Sequence, residues 1–384
     1  MISNFSASYA GHVVDDNLGF RGTPANDRWY PNEKLVQTFD WALDISRHIE
    51  GLGFKEFWMA EHHFQPEGYE GIPNLLMLSL YLATQTKRLR FGCGFNITPM
   101  WHPLRLAEDF AMADILTKGR VIFGVGRGYH TREVETFGAP MLDGEANREL
   151  FEEQIQIIQK AFTEESFSHE GKHYQIPARV PYRGYQLEKL SLVPRPVHQP
   201  VDIWQPLVSG SPRGMDFMAK MGIKAMIANN PERMLKERIN LYRDAAAAHG
   251  RELELGEDVA LGYRFFIAET QEKAIEQARP YFEEAMKFAA PLGLMQLSPQ
   301  QIQAVANPGR SRGVALPTLE EAVAGKSWLC GPPELIVEHL QSVEEQYPGV
   351  ERVNLGSVMG MPRAVFKEQL AKFAEGVMPA FQGR

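Results

Sequence analysis

Two periods of apolar and polar residues take turns along this chain. Between residues 2 and 10, Phe5, Ala7 and Tyr9 interleave with Asn4, Ser6 and Ser8, the period of two expected of a half-buried strand. A polar stretch rich in Gly, Pro and Asn runs from 15 to 32, a candidate wall of a site. From 33 to 52, Leu35, Phe39, Ala42, Ile45, Ile49 and Leu52 step by three and four, which predicts a helix that Gly53 ends.

The same pair of patterns then repeats. Strands are predicted at 54–59, 89–97, 120–126, 201–208, 224–228, 259–268 and 352–357, and helices at 74–86, 103–116, 145–162, 213–221, 232–249 and 272–288. Eight parallel-strand candidates, each followed by a helix, predict an α/β fold of the (β/α)8 TIM-barrel type with insertions, since an open doubly wound sheet needs fewer strands. Such a barrel takes about 250 residues, so roughly 130 are left for insertions. Most fall at 167–200, which carries short strand-like pieces, and at 291–326, rich in Gln, Pro and Gly and a candidate mobile lid. With no internal repeat and no domain boundary, 1–384 reads as one elaborated barrel domain.

Composition narrows the partners. A net charge of −8 and the absence of any long Lys/Arg run argue against nucleic acid or an anionic membrane surface. The N-terminus lacks a basic flank leading into an apolar run, and no span reaches the roughly 18 apolar residues that would cross a bilayer, so a cytoplasmic location is expected. Cys93 and Cys330 are too few and too far apart for a disulfide framework or a thiolate zinc site.

In a barrel of this type the site lies at the C-terminal strand ends, which gathers 61–63, 96–101, 126–130 and 208–211 around one mouth. The run from Phe54 to Met59 leads directly into Glu61, His62 and His63. Strand alternation puts Glu61 and His63 on one face and His62 on the other, so joint chelation of a metal is not expected and no metal is assigned. His62, with a pKa near neutrality, is the proton-handling candidate. The glycine-rich run Phe123-Gly124-Val125-Gly126-Arg127-Gly128-Tyr129 fails the dinucleotide fingerprint, because its third glycine position falls on Tyr129 or Thr131. It remains a loop that a flat ligand can approach closely, with Arg127 placed to meet an anion. Ser209-Gly210-Ser211-Pro212 joins a strand to a helix and offers backbone N–H groups and two hydroxyls, a candidate phosphate turn.

These residues resemble the bacterial luciferase-like flavin monooxygenases of the luciferase α-subunit type. The resemblance is carried by Trp58-Met59-Ala60-Glu61-His62-His63-Phe64, by Pro99-Met100-Trp101-His102-Pro103-Leu104-Arg105, by Gly119 to Gly128 with Phe137-Gly138, and by Ser209-Gly210-Ser211 and Gly331-Pro332-Pro333-Glu334. It implies FMN, reduced by a separate flavin reductase and reacting with O2 through a C4a-(hydro)peroxyflavin to oxygenate a small apolar or aromatic substrate. It places His62 on the catalytic histidine, Gly94 and Phe95 against the isoalloxazine with a non-prolyl cis bond between them, and Arg127, Ser209 and Ser211 at the phosphate. Gly126, Val208 and Gly210 complete the implied cofactor set. Val208 stands where the luciferase type has an acidic residue, Pro212 where it has a threonine, and Gly126 where it has a reactive cysteine. Trp101 and Tyr129 are the substrate-wall candidates, with Trp29 and Trp204 also within reach of the mouth. A homodimer packed through the helices beside strand 54–59 is a family-level expectation. The alternatives are an F420-dependent oxidoreductase on the same barrel, disfavoured because Arg127 alone stands out as a cation at the mouth, and a non-catalytic flavin-binding protein.

Overall fold

Eight strands close into a parallel ring in the computed structural model, which describes residues 1–295, 297–306 and 313–382. They are β1 (Asn4–Tyr9), β2 (Glu56–Met59), β3 (Arg90–Cys93), β4 (Val121–Gly126), β5 (Ile203–Pro206), β6 (Lys224–Ala228), β7 (Val259–Ile267) and β8 (Arg352–Gly356). Each pairs with its neighbours in chain order, and β8 pairs with β1, which closes the barrel and removes every sheet edge. Every predicted strand is present, mostly one to four residues shorter than its apolar run. Between the strands lie α1 (Gln37–Leu52), α2 (Leu75–Gln85), α3 (Pro103–Thr117), α4 (Gly144–Thr163), α5 (Pro212–Lys220), α6 (Glu232–Ala248) and α7 (Gln271–Ala289), and α8 (Arg363–Gly376) follows β8.

The alternation in β1 has a meaning that the sequence pattern hides. Phe5, Ala7 and Tyr9 pack outward into the layer between barrel and helices, while Ser6 is buried in the barrel interior and accepts from Asn354 Nδ2 at 2.9 Å. The polar face of the strand is thus turned to the barrel axis and not to solvent. Below the mouth, Trp58, Ile122, Trp204, Met226 and Ala260 plug the interior, with the Trp58 and Trp204 rings edge to face at 6.0 Å. Glycine makes the plug possible: a Cβ on Gly92 would lie 2.1 Å from the Trp58 indole. Glu56 anchors the bottom, accepting from Trp58 Nε1 at 3.0 Å and pairing with Arg352 at 3.1 Å.

The departures from expectation are local. The helix expected over 33–52 is divided at Val36 into Asn32–Leu35 and α1. A short strand Trp328–Gly331 pairs with the outer half of β7, and nothing in the sequence pattern announces it, since its apolar run is cut short by Pro332. The first insertion forms two small hairpins, His169–Glu170 with Gln175–Ile176 and Pro181–Tyr182 with Tyr185–Gln186. Of the second insertion, Gln296 and 307–312 lie outside the described residues; the rest contains helices Pro299–Ala306 and Leu319–Ala324, the latter opened by a Thr318–Glu321 capping box. Met77 and Tyr81 on α2 and Met112 and Leu116 on α3 are exposed, on helices flanking β3. Among the described residues no helix is long and apolar enough to cross a membrane.

The long polar stretch after β1 is tied down by charge. Glu284 on α7 pairs with Arg28 at 2.8 Å and Lys287 at 2.9 Å and accepts from Tyr69 Oη at 2.7 Å and the Gly19 N–H at 3.0 Å. All three charged groups are buried. Glu284→Ala leaves two buried cations without their carboxylate, and a loss of about 3–5 kcal/mol is expected in urea unfolding. A loss below about 1 kcal/mol, the size typical of a surface pair, would contradict this assignment.

Candidate active site

The C-terminal strand ends enclose a cavity of about 600 Å3, within the range of small-molecule sites. Of the residues singled out from the sequence, His62, Gly94, Phe95, Gly126, Arg127, Tyr129, Val208, Ser209 and Ser211 line it. Gly210 belongs to the same exposed turn without lining the cavity. Trp101 does not line it either; its indole N–H donates to Glu61 Oε1 at 2.9 Å. Trp29 is exposed, and Trp204 is part of the interior plug.

One wall is cationic. Arg127 directly follows β4 and Arg148 lies near the start of α4; both line the cavity, and neither has a carboxylate partner within ion-pair distance among the described residues. Arg127 reaches only Asn147 Oδ1, at 3.4 Å. Burial, and then the neighbouring Arg148 charge, lower its pKa against the opposing charges of Glu152 and Glu145. Beside them Ser211 caps α5, its Oγ accepting from the Gly214 N–H at 3.4 Å, with Pro212 as the first helical residue. Arginine pair, hydroxyls and helix start together could hold a dianionic group such as a phosphate monoester. Arg148 escapes the sequence reading because one arginine in an amphipathic helix looks like any solvated residue.

Another wall is formed by Gly94, Phe95 and Gly126. The Gly94–Phe95 peptide is cis, in the place where the family resemblance puts such a bond. A Cβ on Gly126 would come within 3.3 Å of Phe95 Cβ, so glycine keeps the space over that ring open. The side-chain oxygen of Gln205 is buried at this cavity without a hydrogen-bond partner, an acceptor facing a site that calls for a donor.

Deeper in the cavity lies a buried proton network. His62 Nδ1 is 3.2 Å from Glu133 Oε2, and its Nε2 is 3.0 Å from Tyr129 Oη and 3.2 Å from Glu70 Oε1. Tyr129 donates to Glu70 at 3.0 Å, His130 Nε2 is 3.1 Å from Glu70 Oε2, and Gln65 donates to Glu133 at 2.9 Å. Burial pulls the His62 pKa down, but the Glu70 charge and the Glu133 hydrogen bond outweigh it, and the net direction is upward. Burial and Glu70 raise Tyr129 well above its ordinary value, so the phenol is a proton donor and not a phenolate. Glu61 also lines the cavity, but its oxygens are engaged: it faces His63 at 3.2 Å and accepts from the Ile97 N–H at 2.6 Å. They brace the strand end.

Glu70, His130, Glu133 and Gln65 are invisible to periodicity, because residues some 60–70 positions apart meet only once the barrel has closed. His62, Glu70 and His130 offer ligand atoms within 4.8 Å of one another, a spacing that a divalent cation accepts and that differs from the His62/His63 pair considered from the sequence. The two Glu70 oxygens are already engaged by Tyr129, His130 and Gln65, so hydrogen bonding satisfies the cluster without an ion.

A parallel barrel with an arginine pair and a buried histidine–carboxylate cluster in one mouth cavity has the arrangement of a barrel enzyme's active site. The luciferase-like monooxygenase family model matches residues 20–349, and the chain belongs to that family. Among its relatives is the oxygenase component of the flavin-dependent trigonelline monooxygenase of Acinetobacter baylyi, 24% identical over 359 residues covering 90% of each chain. The fold is shared with the oxygenating constituent of the 3,6-diketocamphane monooxygenase of Pseudomonas putida in complex with FMN, with a TM-score of 0.74 at 19% identity, covering 99% of this chain and 98% of the other. It is also shared with an F420-dependent secondary alcohol dehydrogenase, with a TM-score of 0.67 at 16% identity over the full length of both.

Proposed function

We propose that this protein is the oxygenase component of a two-component flavin-dependent monooxygenase, using reduced FMN from a separate reductase and O2 to oxygenate a small organic substrate. The observation that carries the reading is the shared cavity: an unpaired arginine pair at one wall and buried His62 at the other. Support also comes from the relative named as an oxygenase component and from the neighbour solved with FMN. When bound and reduced, FMN supplies the electrons that activate O2.

The chain's own residues supply the rest. Arg127, Arg148, Ser209, Ser211 and the Gly210 and Val208 backbone hold the phosphate at the start of α5. Gly94, Phe95 and Gly126 take the flat ring, and the Trp58–Trp204 plug keeps the barrel interior behind it dry. His62 holds a proton at Nε2, next to the Tyr129 hydroxyl, and delivers it to the reacting end of the cavity. Glu133 orients the ring from Nδ1, and Glu70 holds Tyr129 and His130 in place. Met226, Phe288, Leu294 and Met359 provide an apolar substrate wall.

F420 is the second reading, favoured by the F420-dependent neighbour and by Arg148 and Arg264, which join Arg127 at the cavity and weaken the charge argument against it. Anaerobic titration separates the two. Reduced FMN is expected to bind saturably and about a hundredfold more tightly than reduced F420. The reverse order of affinity would overturn the proposal.

A further inference from the structure

Arg264 lies on β7, three strands around the ring from β4, and lines the same cavity away from the arginine pair. Other arginines removed from solvent have partners, Arg28 pairing with Glu284, Arg352 with Glu56, Arg120 donating to carbonyls of Ala83 and Thr86, and Arg238 to Leu207 O and Asn230, although Arg28 Nε is left without a hydrogen bond. Arg264 has no hydrogen bond and no ion pair among the described residues; its guanidinium only lies over the Trp328 ring at 5.9 Å. The carboxylate in its field is Glu70, whose oxygens are spoken for by Tyr129, His130, Gln65 and His62, and no Glu70–Arg264 pair forms within 4.0 Å. Burial lowers its pKa to about 10, so the group still carries its charge at neutral pH.

A half-buried guanidinium with five unused donors is costly unless something fills it, and a planar two-oxygen anion matches its fork. The proposed phosphate subsite lies elsewhere, so the FMN phosphate does not account for this cation. We propose that Arg264 anchors a carboxylate of the substrate, whose class is therefore a small organic acid with an apolar or aromatic body against Met226, Phe288, Leu294 and Met359. This rests on the monooxygenase reading for what happens to the acid, but not for its binding. Arg264 lies over the Trp328 ring at 5.9 Å, and His62 and Tyr129 line the same cavity.

The test uses the full chain with and without FMN, titrated with benzoate, phenylacetate and cyclohexanecarboxylate and with their neutral amides. Binding is followed by ligand-observed NMR and, with FMN present, by the visible flavin spectrum. At least one acid is expected to bind about tenfold or more tightly than its amide. R264M should abolish that preference and R264K should keep part of it, with FMN affinity and melting temperature unchanged in both. Equal affinity for acids and amides, no binding of any acid, a preference that survives R264M, or loss of FMN affinity in R264K and R264M each overturns the assignment. If the wild-type chain fails to bind FMN while its acid preference still depends on Arg264, the flavin reading falls and the carboxylate site stands.

Discussion

Replacing His62 with alanine is expected to lower oxygenation by about two to four orders of magnitude while leaving FMN affinity within about twofold, the range for removing a positioned proton carrier. The separation of effects follows from geometry. His62 touches Tyr129, Glu70 and Glu133 and makes no contact with the arginine wall, so its loss removes a proton and not a phosphate contact. The pH dependence has a definite sign. Carboxylates hold the His62 pKa above its ordinary value, so the protonated form persists to higher pH than in a free imidazole. Activity that needs His62 as a donor is present at low pH and falls as pH rises through that raised value. The same group stabilises the fold below its unfolded pKa, and that contribution is lost as pH rises through the folded one. Glu133→Gln removes one of the raising carboxylates and should move the falling limb to lower pH without abolishing turnover. A limb that does not move would show that Glu133 acts only in packing. Product yield unchanged in His62→Ala would remove His62 from the chemistry altogether.

The second large effect is expected at the cationic wall. Arg127→Ala and Arg148→Ala should each weaken FMN by about ten- to a hundredfold, and the double variant by about a hundred- to ten-thousandfold, since each removes a charge-assisted contact to a phosphate. Riboflavin, which has the ring and lacks the phosphate, is the control. Its affinity should change little, so that the double variant binds FMN and riboflavin about equally. A parallel loss for both ligands would mean that the arginines hold the cavity's shape and not the phosphate. The stability cost should be small or negative, because the two cations repel each other in the free protein.

Much of this molecule is visible in the order of its residues, for a physical reason. Parallel barrel strands are short apolar runs bounded by Gly, Pro and polar residues, and all eight stand out that way. Trp328–Gly331 does not, because a four-residue run ended by Pro332 has no period to read. The side on which β1 keeps its serines was equally hidden: alternation says that two faces differ, and only closure of the ring turns the polar one inward. At the site, residues directly after strands could be placed by topology, and His62, Arg127, Ser209 and Ser211 share the cavity for that reason. Glu70, His130, Glu133, Arg148 and Arg264 could not. Each sits on a helix, a loop or mid-strand, and its meaning depends on a neighbour far away in the chain. Trp101 illustrates the opposite case: it comes soon after β3, but its indole N–H is taken by Glu61 and it is not among the lining residues.

The central claim is that this cavity uses reduced FMN to move oxygen from O2 into an organic molecule. The most direct measurement incubates the protein with FMN, a generic flavin reductase and a panel of small organic acids and neutral analogues under isotopically heavy O2, and reads products by mass spectrometry. The account predicts a product carrying one heavy oxygen atom that disappears in His62→Ala and without reductase. Flavin oxidation that yields only hydrogen peroxide across the panel, or a product whose oxygen comes from water, would contradict it.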